Sequence, residues 1–572
     1  AVETGQAGEA RFFPRRLAGR MKEILRLCLE EEYPFAQALL LGDSKELDYE
    51  TKTALTVSGI RHVIAVSGLH VAVLYALIQK LTGGKPWLTA ILGIPAFILF
   101  AALVGFTPSV CRASLMLSMM LLAGAIRREY DGLTELAFAA FVLLTRNPFA
   151  VRAVGFQLSV LSVLGIFLFG SRLQAFLEAK LGGVKGRGIL PKCRRWLASS
   201  VAVTISASSL STPVAAGAFG VVSLIGPLTN LLVLGLISLI FYGVGLVCAL
   251  GASYLPAGLL LGNILKYPIR LVLAIAKLFA SIPMAALYTC GGFSVVFLVG
   301  AYVLAGVRLL TGKGRVRHYA LTAGALLAVC QFLSWWIPGR DDCRLTVLDV
   351  GQGQSLLLQS GGESLLIDCG GWSGEAASDA AAEELLSQNR FRLDGCAFTH
   401  FDADHVNGAA YLLGRIGTRW LALPGEDPGL GDRAEVRIPV TADKEIPFGR
   451  GLLRFIPYTG GNSDQENSMV ILFESKSCVI LVTGDLDLAG ERRLLETHSL
   501  PKAALLVVGH HGSKNATSEE LLQAVSPRAA VISVGKNNRY GHPTQEVLDR
   551  LQRAGCAVYR TDQQGTITFR VP

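Results

Sequence analysis

The sequence predicts a polytopic α-helical membrane bundle followed by a smaller α/β domain. The chain of 572 residues is 51% hydrophobic and only 17% charged, too apolar for an ordinary soluble multidomain enzyme. Long apolar runs fill residues 60–340, whereas short strand-like and helix-like segments alternate from residue 341 onward. The charge changes sign at the same place. Residues 1–340 hold 31 basic and 14 acidic side chains, and residues 341–572 hold 22 and 30.

Residues 1–59 are the first element, for which we predict an amphipathic, membrane-adjacent segment with basic side chains clustered from Arg11 to Arg26. This segment lacks the pattern of a signal peptide, and we expect the chain to be part of a longer protein. In residues 60–340, each apolar run approaches the ~20 residues that cross ~30 Å of hydrocarbon. We expect eight to ten transmembrane helices, from runs at 61–82, 88–106, 108–126, 134–148 (the weakest), 151–169, 197–219, 222–250, 256–280, 288–308 and 318–337.

Basic loops set the orientation that we expect for these helices. Residues 170–196 carry seven Lys or Arg side chains against one Glu, and residues 308–317 carry four more. The positive-inside rule places both loops, with Lys185 and Lys313, in the cytoplasm. One further span, ending in Trp335 and Trp336, would carry residues 341–572 out of the cytoplasm. This rule explains the basic membrane half better than a nucleic-acid-binding surface does.

Polar side chains interrupt the apolar runs at four positions of special interest: Ser67, His70, Arg112 and Gln157. A polar group in hydrocarbon costs several kcal/mol unless it has a partner or faces water, so such residues often mark a pathway. We therefore predict that these four residues line a channel. The alternative is that they hold neighbouring helices together by hydrogen bonds.

The C-terminal part alternates strands with helices, which favours an α/β domain of residues 341–572. Helices are predicted near 377–389, 488–497, 517–525 and 545–554. The strand-like segments lie at 344–350, 354–360, 363–368, 394–400, 468–474, 478–485, 504–510, 529–534, 556–560 and 566–571.

Histidine and aspartate collect where several of these strands end. The first group, His400 to His405, follows an apolar strand. The second is Asp485, a carboxylate at the end of a strand, and the third is the imidazole pair of His510 and His511 after another strand. Carboxylate and imidazole suit Zn²⁺ or Mn²⁺, and two such ions can activate a water and stabilise a leaving oxygen. A lone member would be an ordinary surface residue, but the set together predicts a metal site. Its members are His400, Asp402, Asp404, His405, Asp485, His510 and His511, with His542 on a later loop.

The order of these motifs resembles the metallo-β-lactamase superfamily, and most closely the branch fused to competence proteins of the ComEC family. The soluble half carries Asp349 to Gly353, Ile367 to Gly370, His400 to His405, Thr483 to Asp485, His510 to Ser513 and Gly541 to Pro543. The membrane half carries Ser67 to His70, Pro108 to Ala113 and Gly155 to Ser159, which are similar to that family's competence domain. The resemblance covers nearly the whole chain and implies an αββα fold for residues 341–572. The oligonucleotide-binding domain that precedes the family's membrane domain is absent from this sequence.

The resemblance also implies roles for single residues. The metal ligands would be His400, Asp402, Asp404, His405, Asp485 and one of His510 and His511. Asp404, Asp485 and His542 would act in catalysis, with His542 contacting the scissile phosphate. The ligands would be supported by Asp349, Asp368, Asn467 and Ser513.

The sequence departs from the superfamily pattern at two places. Asp402 stands where the superfamily's first motif usually has its second His, and no His lies between His405 and His498. The usual third ligand of the first ion is therefore missing, with Asn467 near its expected place. Oxygen ligands favour Mn²⁺ over Zn²⁺ for this first of two expected ions.

The resemblance implies a DNA-uptake protein in the cytoplasmic membrane. Its external metal-dependent nuclease domain would degrade one strand while the other passes inward as single-stranded DNA. The expected partners are DNA, the lipid bilayer and other DNA-uptake proteins. Two alternatives stay open: a channel or transporter whose C-terminal domain is a degenerate binding module, and a membrane-anchored hydrolase of small phosphoesters without transport.

Overall fold

The computed structural model describes residues 13–181, 188–311, 315–425, 428–458 and 468–571. The chain divides into two compact units, Ala1–Thr289 and Cys290–Pro572. The boundary predicted at residue 340 lies inside the second unit, since the last two long helices group with the sheets. Where the functional domains divide stays a prediction.

The described part of the first unit is almost entirely helical. One short antiparallel pair of strands interrupts it, with Val221 opposite Tyr288. Its elements are α1 (Phe13–Leu29), α2 (Tyr33–Leu41), α3 (Tyr49–Val57), α4 (Arg61–Ile64), α5 (Gly68–Leu81), α6 (Pro86–Leu103), α7 (Pro108–Ala125), α8 (Gly132–Arg146), α9 (Val154–Gly165), α10 (Ser171–Lys180), α11 (Ile189–Phe219), β1 (Val221–Ser223), α12 (Gly226–Ser253), α13 (Leu255–Ala280) and β2 (Ala286–Tyr288).

Seven helices of the described residues are long and apolar enough to cross a membrane. Two shorter apolar helices, Gly68–Leu81 and Gly292–Arg308, coincide with further predicted runs. The weak run at 134–148 forms α8, which has 15 residues. The exact number of spans stays a prediction. The seven long helices are Pro86–Leu103, Pro108–Ala125, Val154–Lys180, Ile189–Phe219, Gly226–Ser253, Leu255–Ala280 and Val316–Arg340.

The N-terminal segment packs into the helical unit through the apolar face of α1. Leu25 and Leu29 are fully buried there. The opposite face carries the exposed Arg16 and Arg20. Lys22, at the border of the apolar face, donates to Asp43 over 2.6 Å. This two-sided pattern agrees with the predicted amphipathic character, because apolar residues spaced by one turn share a helix face.

The second unit begins with two helices and continues into the α/β domain. Its elements are α14 (Gly292–Thr311), α15 (Val316–Trp336), β3 (Cys343–Val347), β4 (Leu356–Ser360), β5 (Glu363–Ile367), α16 (Gly374–Ser387), β6 (Arg392–Ala397), α17 (Ala403–Val406), α18 (Ala409–Arg415), β7 (Gly417–Pro424), β8 (Ala434–Val440), β9 (Lys444–Phe448), β10 (Gly451–Ile456), β11 (Val470–Ser475), β12 (Val479–Val482), α19 (Leu488–Thr497), β13 (Leu505–Val507), α20 (Glu519–Val525), β14 (Ala529–Ile532), α21 (Gln545–Arg553), β15 (Ala557–Arg560), α22 (Thr561–Gln564) and β16 (Ile567–Val571).

These strands form two seven-stranded sheets, in the orders β16-β3-β4-β5-β6-β7-β8 and β15-β14-β13-β12-β11-β10-β9. Successive residues of a strand face opposite sides, which explains the layers. In β4, Leu356 and Leu358 belong to the core between the sheets, whereas Leu357 packs with α16 and α18. The outer face of the second sheet packs in the same way against α19, α20 and α21. The layers are helix, sheet, sheet, helix, so the predicted αββα fold is confirmed.

Each of the ten predicted strand segments overlaps a strand of the structure, but four strands between residues 417 and 456 were missed. Two of these, β8 and β9, are the edges of the two sheets. They contain Pro439 and Pro447, which cannot donate to a ladder and are tolerated at edges. Edge strands are half solvated, so their apolar alternation is weak in the sequence.

Candidate metal centre

The predicted ligands lie on turns that directly follow strands of both sheets. Parallel neighbours β5 and β6 lead to Asp368 and His400, and parallel neighbours β12 and β13 lead to Asp485 and His510. Parallel strands end at one edge of a sheet, so the side chains that follow them come together. The two sheet edges together bring distant parts of the chain to one place.

Three buried side chains form the first group: His400, His405 and Asp485. Their ligand atoms all lie within 4.8 Å of one another. His405 Nε2 is 3.2 Å from Asp485 Oδ1, and His400 Nε2 is 3.9 Å from Asp485 Oδ2. Asp402 lies beside this group, with Oδ2 3.6 Å from His400 Nε2. The group presents imidazole and carboxylate atoms to one small volume.

A second group shares His405 with the first and adds Asp404 and His511. His511 Nε2 lies 3.3 Å from Asp404 Oδ2. His510 approaches from the same turn, with Nε2 3.7 Å from Asp485 Oδ2. The structure thus brings together all seven residues predicted as ligands. The paired imidazoles face different carboxylates: His511 lies beside Asp404, and His510 lies beside Asp485.

Asp368 fixes the ring of His405 from behind. Its carboxylate accepts from His405 Nδ1 over 2.8 Å, and from the Thr399 backbone N–H and hydroxyl over 2.7 Å each. The Gln354 side-chain amide donates a further hydrogen bond of 2.8 Å. Because a carboxylate can only accept, Nδ1 of His405 carries the proton and Nε2 is directed to Asp485. Asp368 therefore sets the orientation of the ligand shared by both groups.

The turn after β13 holds the paired histidines in an uncommon backbone conformation. His510 and His511 have φ of +49° and +53°, where non-glycine residues are rare. A backbone carbonyl supports the turn, since His511 Nδ1 donates to the Ser533 oxygen over 2.8 Å. That bond leaves Nε2 of His511 with its lone pair directed at Asp404. Backbone strain of this kind is frequent where side chains must be aimed precisely at a functional site.

Charge interactions within the cluster shift its pKa values strongly. Burial would lower the pKa of His405, but the carboxylates of Asp485 and Asp368 raise it well above the ordinary value. Burial would raise the pKa of Asp485, but the surrounding imidazoles hold it well below the ordinary value. The nearby imidazole of His400 likewise lowers the pKa of Asp402. The cluster therefore favours a positive charge among ionised carboxylates.

Several buried polar atoms of the cluster make no hydrogen bond within the described residues. They are His400 Nε2, His405 Nε2, His511 Nε2 and Asp485 Oδ1. A buried polar atom without a partner costs about 1–3 kcal/mol, so this arrangement needs a further group. Divalent cations fit, because imidazole nitrogen and carboxylate oxygen are their ligands in proteins and the atoms already converge.

Comparison with known proteins agrees with this geometry. Residues 39–314 match the family model described as "Competence protein", and residues 348–536 match that of the metallo-β-lactamase superfamily. The chain thus combines a competence-protein domain with a metallo-β-lactamase domain, the pairing that the sequence predicted. It is thus a multi-pass membrane protein, and its metallo-β-lactamase fold implies divalent metal binding.

Relatives align over most of the chain. "ComE operon protein 3" of Bacillus subtilis is 28% identical over 93% of this chain and 71% of that protein. "Competence protein ComA" of Neisseria gonorrhoeae is 28% identical over 93% and 74%, and "Recombination protein 2" of Haemophilus influenzae is 26% identical over 93% and 70%. Among solved structures, the metallo-β-lactamase fold protein YhfI of B. subtilis is 12% identical over 40% of this chain and 100% of its own, with a TM-score of 0.30.

Of the other residues predicted for the metal domain, some lie near the paired histidines and others do not. His542 lies near the turn of paired histidines, with its ring centroid 5.8 Å from that of His510. Ser513 closes that turn by donating its N–H to the His510 carbonyl over 2.9 Å. Asp349 is exposed, and its hydrogen bonds are with Gly351 and Thr566. Asn467 lies outside the described residues. The roles assigned to these residues stay predictions.

The polar residues predicted for the channel fall into separate local arrangements. Ser67 is the N-cap of α5 and has an extended backbone; its N–H donates to Nδ1 of the buried His70 over 3.1 Å. Buried Arg112 joins α7 to α9 by donating Nε to Ser159 over 2.7 Å. Gln157 donates to the Val151 carbonyl over 2.8 Å. A channel role of these residues stays a prediction.

Three residues that position the metal centre were not identified from the sequence. Gln354 and the Ser533 carbonyl orient Asp368 and His511, and the Ser468 hydroxyl accepts from the Asp485 N–H over 3.3 Å. Gln354 follows the glycine-rich segment at 351–353, and its polar side chain at the start of a buried strand was the available signal. A backbone carbonyl gives no signal in a sequence.

Proposed function

We propose that this protein imports DNA, passing one strand across the membrane and degrading the other with a metal-dependent phosphodiesterase centre. The convergence of unpartnered, buried imidazole and carboxylate atoms in two groups that share His405 carries this proposal. The match to the competence family model over residues 39–314 supports transport of DNA.

We propose two divalent ions, Mn²⁺ or Zn²⁺, one for each group. His400, Asp402 and His405 would hold one ion, and Asp404 and the His510–His511 turn the other, with Asp485 beside both His405 and His510. Bound there, they would supply Lewis acidity toward a phosphodiester and acidify a coordinated water. An aspartate at the position of Asp485 suits a bridging role, because its two oxygens face different imidazoles.

The protein's own groups would orient the substrate and move protons. Burial lowers the pKa of His542, aided by the nearby imidazoles of His510 and His511, which favours its neutral form. A neutral imidazole on this exposed loop can donate a hydrogen bond to a phosphate oxygen or accept a proton. Burial would raise the pKa of Asp404, at the start of α17, but the nearby imidazoles of His511 and His405 hold it below its ordinary value, which favours the carboxylate. It would accept a proton during attack.

The membrane unit would conduct the surviving strand. We propose that the basic loops lie in the cytoplasm and that the metal domain lies outside, so incoming duplex meets the metal centre first. Buried Arg112 would offer a cation to the phosphates, and His70 and Gln157 would add polar contacts. Lipid and other DNA-uptake proteins would be the further partners.

The test uses the full chain in detergent or lipid nanodiscs with end-labelled DNA, either single-stranded or duplex with an unpaired tail. Cleavage should require Mn²⁺ or Zn²⁺, and Asp485→Ala or His405→Ala should abolish it while circular dichroism stays unchanged. Asp443→Ala is the matched control, because Asp443 pairs with His498 on the surface. Cleavage in the presence of a chelator would contradict the metal centre, and full activity of Asp485→Ala would contradict the bridging role.

The same experiment separates the two alternatives. The departure at Asp402 and the missing histidine favour a degenerate binding domain, which would bind DNA or metal without cleaving. A hydrolase of small phosphoesters would cleave a chromogenic phosphodiester but leave DNA intact. Strand entry into sealed vesicles measures transport independently of cleavage.

A further inference from the structure

Two large aromatic side chains are exposed on loops beside the metal centre. Trp372 is 65% exposed and Tyr540 is 55% exposed. Single exposed aromatics are common on protein surfaces, so exposure alone carries no function. The construction of the loops that hold these two residues is more informative.

Trp372 sits on a loop that is fixed against the ligand-bearing backbone. A Cβ on Gly370 would lie 2.3 Å from the His405 nitrogen, so only glycine permits this close approach. The Asn407 side chain makes two hydrogen bonds with the next residue, Gly371. Its oxygen accepts from the Gly371 N–H over 3.1 Å, and its amide donates to the Gly371 carbonyl over 2.6 Å. The Trp372 N–H then donates to the Val350 carbonyl over 3.2 Å. These contacts hold the loop backbone in place, while the indole remains open to solvent.

Tyr540 stands on a second loop, which meets the first through a shared peptide. The indole of Trp372 covers Gly351, where an added Cβ would lie 3.2 Å from the ring. The next residue, Gln352, packs against Gly535, which begins the loop of Tyr540. A Cβ added to Gly535 would lie 2.6 Å from the Gln352 backbone nitrogen. Both aromatic loops therefore contact residues 351–352.

The tyrosine ring is linked to the group proposed to contact the phosphate. It stacks on the His542 ring at 5.9 Å and 28°, and the Arg539 guanidinium lies 5.3 Å from its centroid. A base stacked on Tyr540 would place its own phosphate toward His542, since a nucleotide joins both within one residue. Cation–π contact with Arg539 would strengthen the platform.

Exposed cations accompany these aromatics despite the acidic character of residues 341–572. Lys514 follows the paired histidines, and Lys536 and Arg539 lie on the Tyr540 loop. Phosphate backbones are bound by such cations, and unpaired bases by stacking on aromatic rings. Each of these cations lies within four residues of the paired histidines or of Tyr540.

We infer that Trp372 and Tyr540 form a stacking platform for unpaired nucleobases, so the metal centre acts on a single-stranded segment rather than on intact duplex. This inference rests on the proposed nuclease function and specifies its substrate. Duplex DNA hides the faces of its bases, so a strand must be separated before it can lie on the platform.

The test measures binding without cleavage. A phosphorothioate oligothymidylate and an abasic phosphorothioate oligomer of equal length are titrated onto the full chain in detergent, following tryptophan fluorescence and anisotropy. The oligothymidylate should quench the fluorescence and bind more tightly than the abasic oligomer. Trp372→Ala should weaken its binding about tenfold, and Trp372→Phe should retain affinity but lose most of the quenching.

Phe391→Ala is the matched control, because Phe391 is 49% exposed but precedes β6, at the opposite end of the strand that leads to His400. It should change neither binding nor quenching. Equal binding of both oligomers to the unsubstituted chain, or unchanged binding of the oligothymidylate to Trp372→Ala, would overturn the platform. Absence of metal-dependent DNA cleavage by a chain that binds bases through Trp372 would instead overturn the nuclease function.

Discussion

At the scale of single residues, the candidate centre depends on how imidazole rings are oriented. His405 contributes to both groups, and its ring can do so only while Nδ1 is bound to Asp368. His511 is oriented in the same manner by a backbone carbonyl. Groups behind a ligand therefore decide which ring nitrogen is offered to a cation.

Replacing Asp368 with Asn should lower the metal affinity about 10–100-fold. Asn keeps the shape but loses the charge that stabilises the Nδ1–H of His405, and its amide can present a donor where the carboxylate accepted. Calorimetric titration of the full chain with Mn²⁺ and Zn²⁺ measures this change. Asp443→Asn should bind as the unsubstituted chain does, and an unaltered affinity of Asp368→Asn would contradict the orienting role.

At the scale of elements, the turns that bear ligands are stabilised by neighbouring helices. Glu491 of α19 is fully buried, and its carboxylate accepts from the Thr517 and Ser518 N–H groups over 2.5 and 2.7 Å. These residues lead from the His510–His511 turn into α20. The carboxylate thus ties one helix to the start of another beside the metal centre.

Glu491→Gln should destabilise the second unit by about 1–3 kcal/mol, because the amide offers one acceptor where two N–H groups need partners. Chemical denaturation followed by circular dichroism measures the loss. Glu496→Gln is the control, since Glu496 is exposed on the same helix. Equal stability of the two variants would show that these hydrogen bonds contribute little.

In the membrane unit, Arg112 at the contact between α7 and α9 could act in helix packing or in the path of the DNA strand. Arg112 donates to Ser159 and also lies against Met116, with no acidic side chain among its hydrogen-bond partners in the described residues. An uncompensated charge at mid-membrane costs about 2.5–3.5 kcal/mol on insertion scales. A water-filled path or an anionic ligand would compensate it.

Arg112→Gln and His70→Ala should stop strand entry while protein abundance and external DNA cleavage stay unchanged. Uptake of labelled DNA and the amount of protein in membranes are measured together. Reduced abundance of either variant would indicate a role in helix packing instead. Normal uptake by both variants would exclude these two residues from the pathway.

At the scale of the whole molecule, the distribution of basic residues predicts the sidedness of the protein. Lys185 lies in the basic loop assigned to the cytoplasm, and Asp427 lies in the domain assigned to the outside. Both positions are outside the described residues. Single cysteines there would report the topology directly, once the naturally exposed Cys193 and Cys290 are changed to Ser.

An impermeant maleimide applied to intact cells should label Asp427→Cys and leave Lys185→Cys unlabelled until the membrane is opened. Labelling after permeabilisation confirms that both thiols react. The reverse pattern would invert the orientation and place the metal centre in the cytoplasm.

The sequence by itself determined the two-part architecture, an α/β domain and the places where ligands follow strands, and the family resemblance added the αββα order of its layers. These features are local, since apolar spacing and short motifs such as His400 to His405 lie within a few consecutive residues. The edge strands β8 and β9 escaped detection because solvation on one side weakens their alternation.

Only the tertiary structure decided which atoms meet. It showed that His405 serves two groups, that Gln354 and the Ser533 carbonyl orient ligands, and that Trp372 stands open beside them. Ligand distances depend on how two sheets pack, and those sheets come from segments far apart in the chain. Motif spacing therefore indicates which residues are candidates, whereas sheet packing determines the geometry between them.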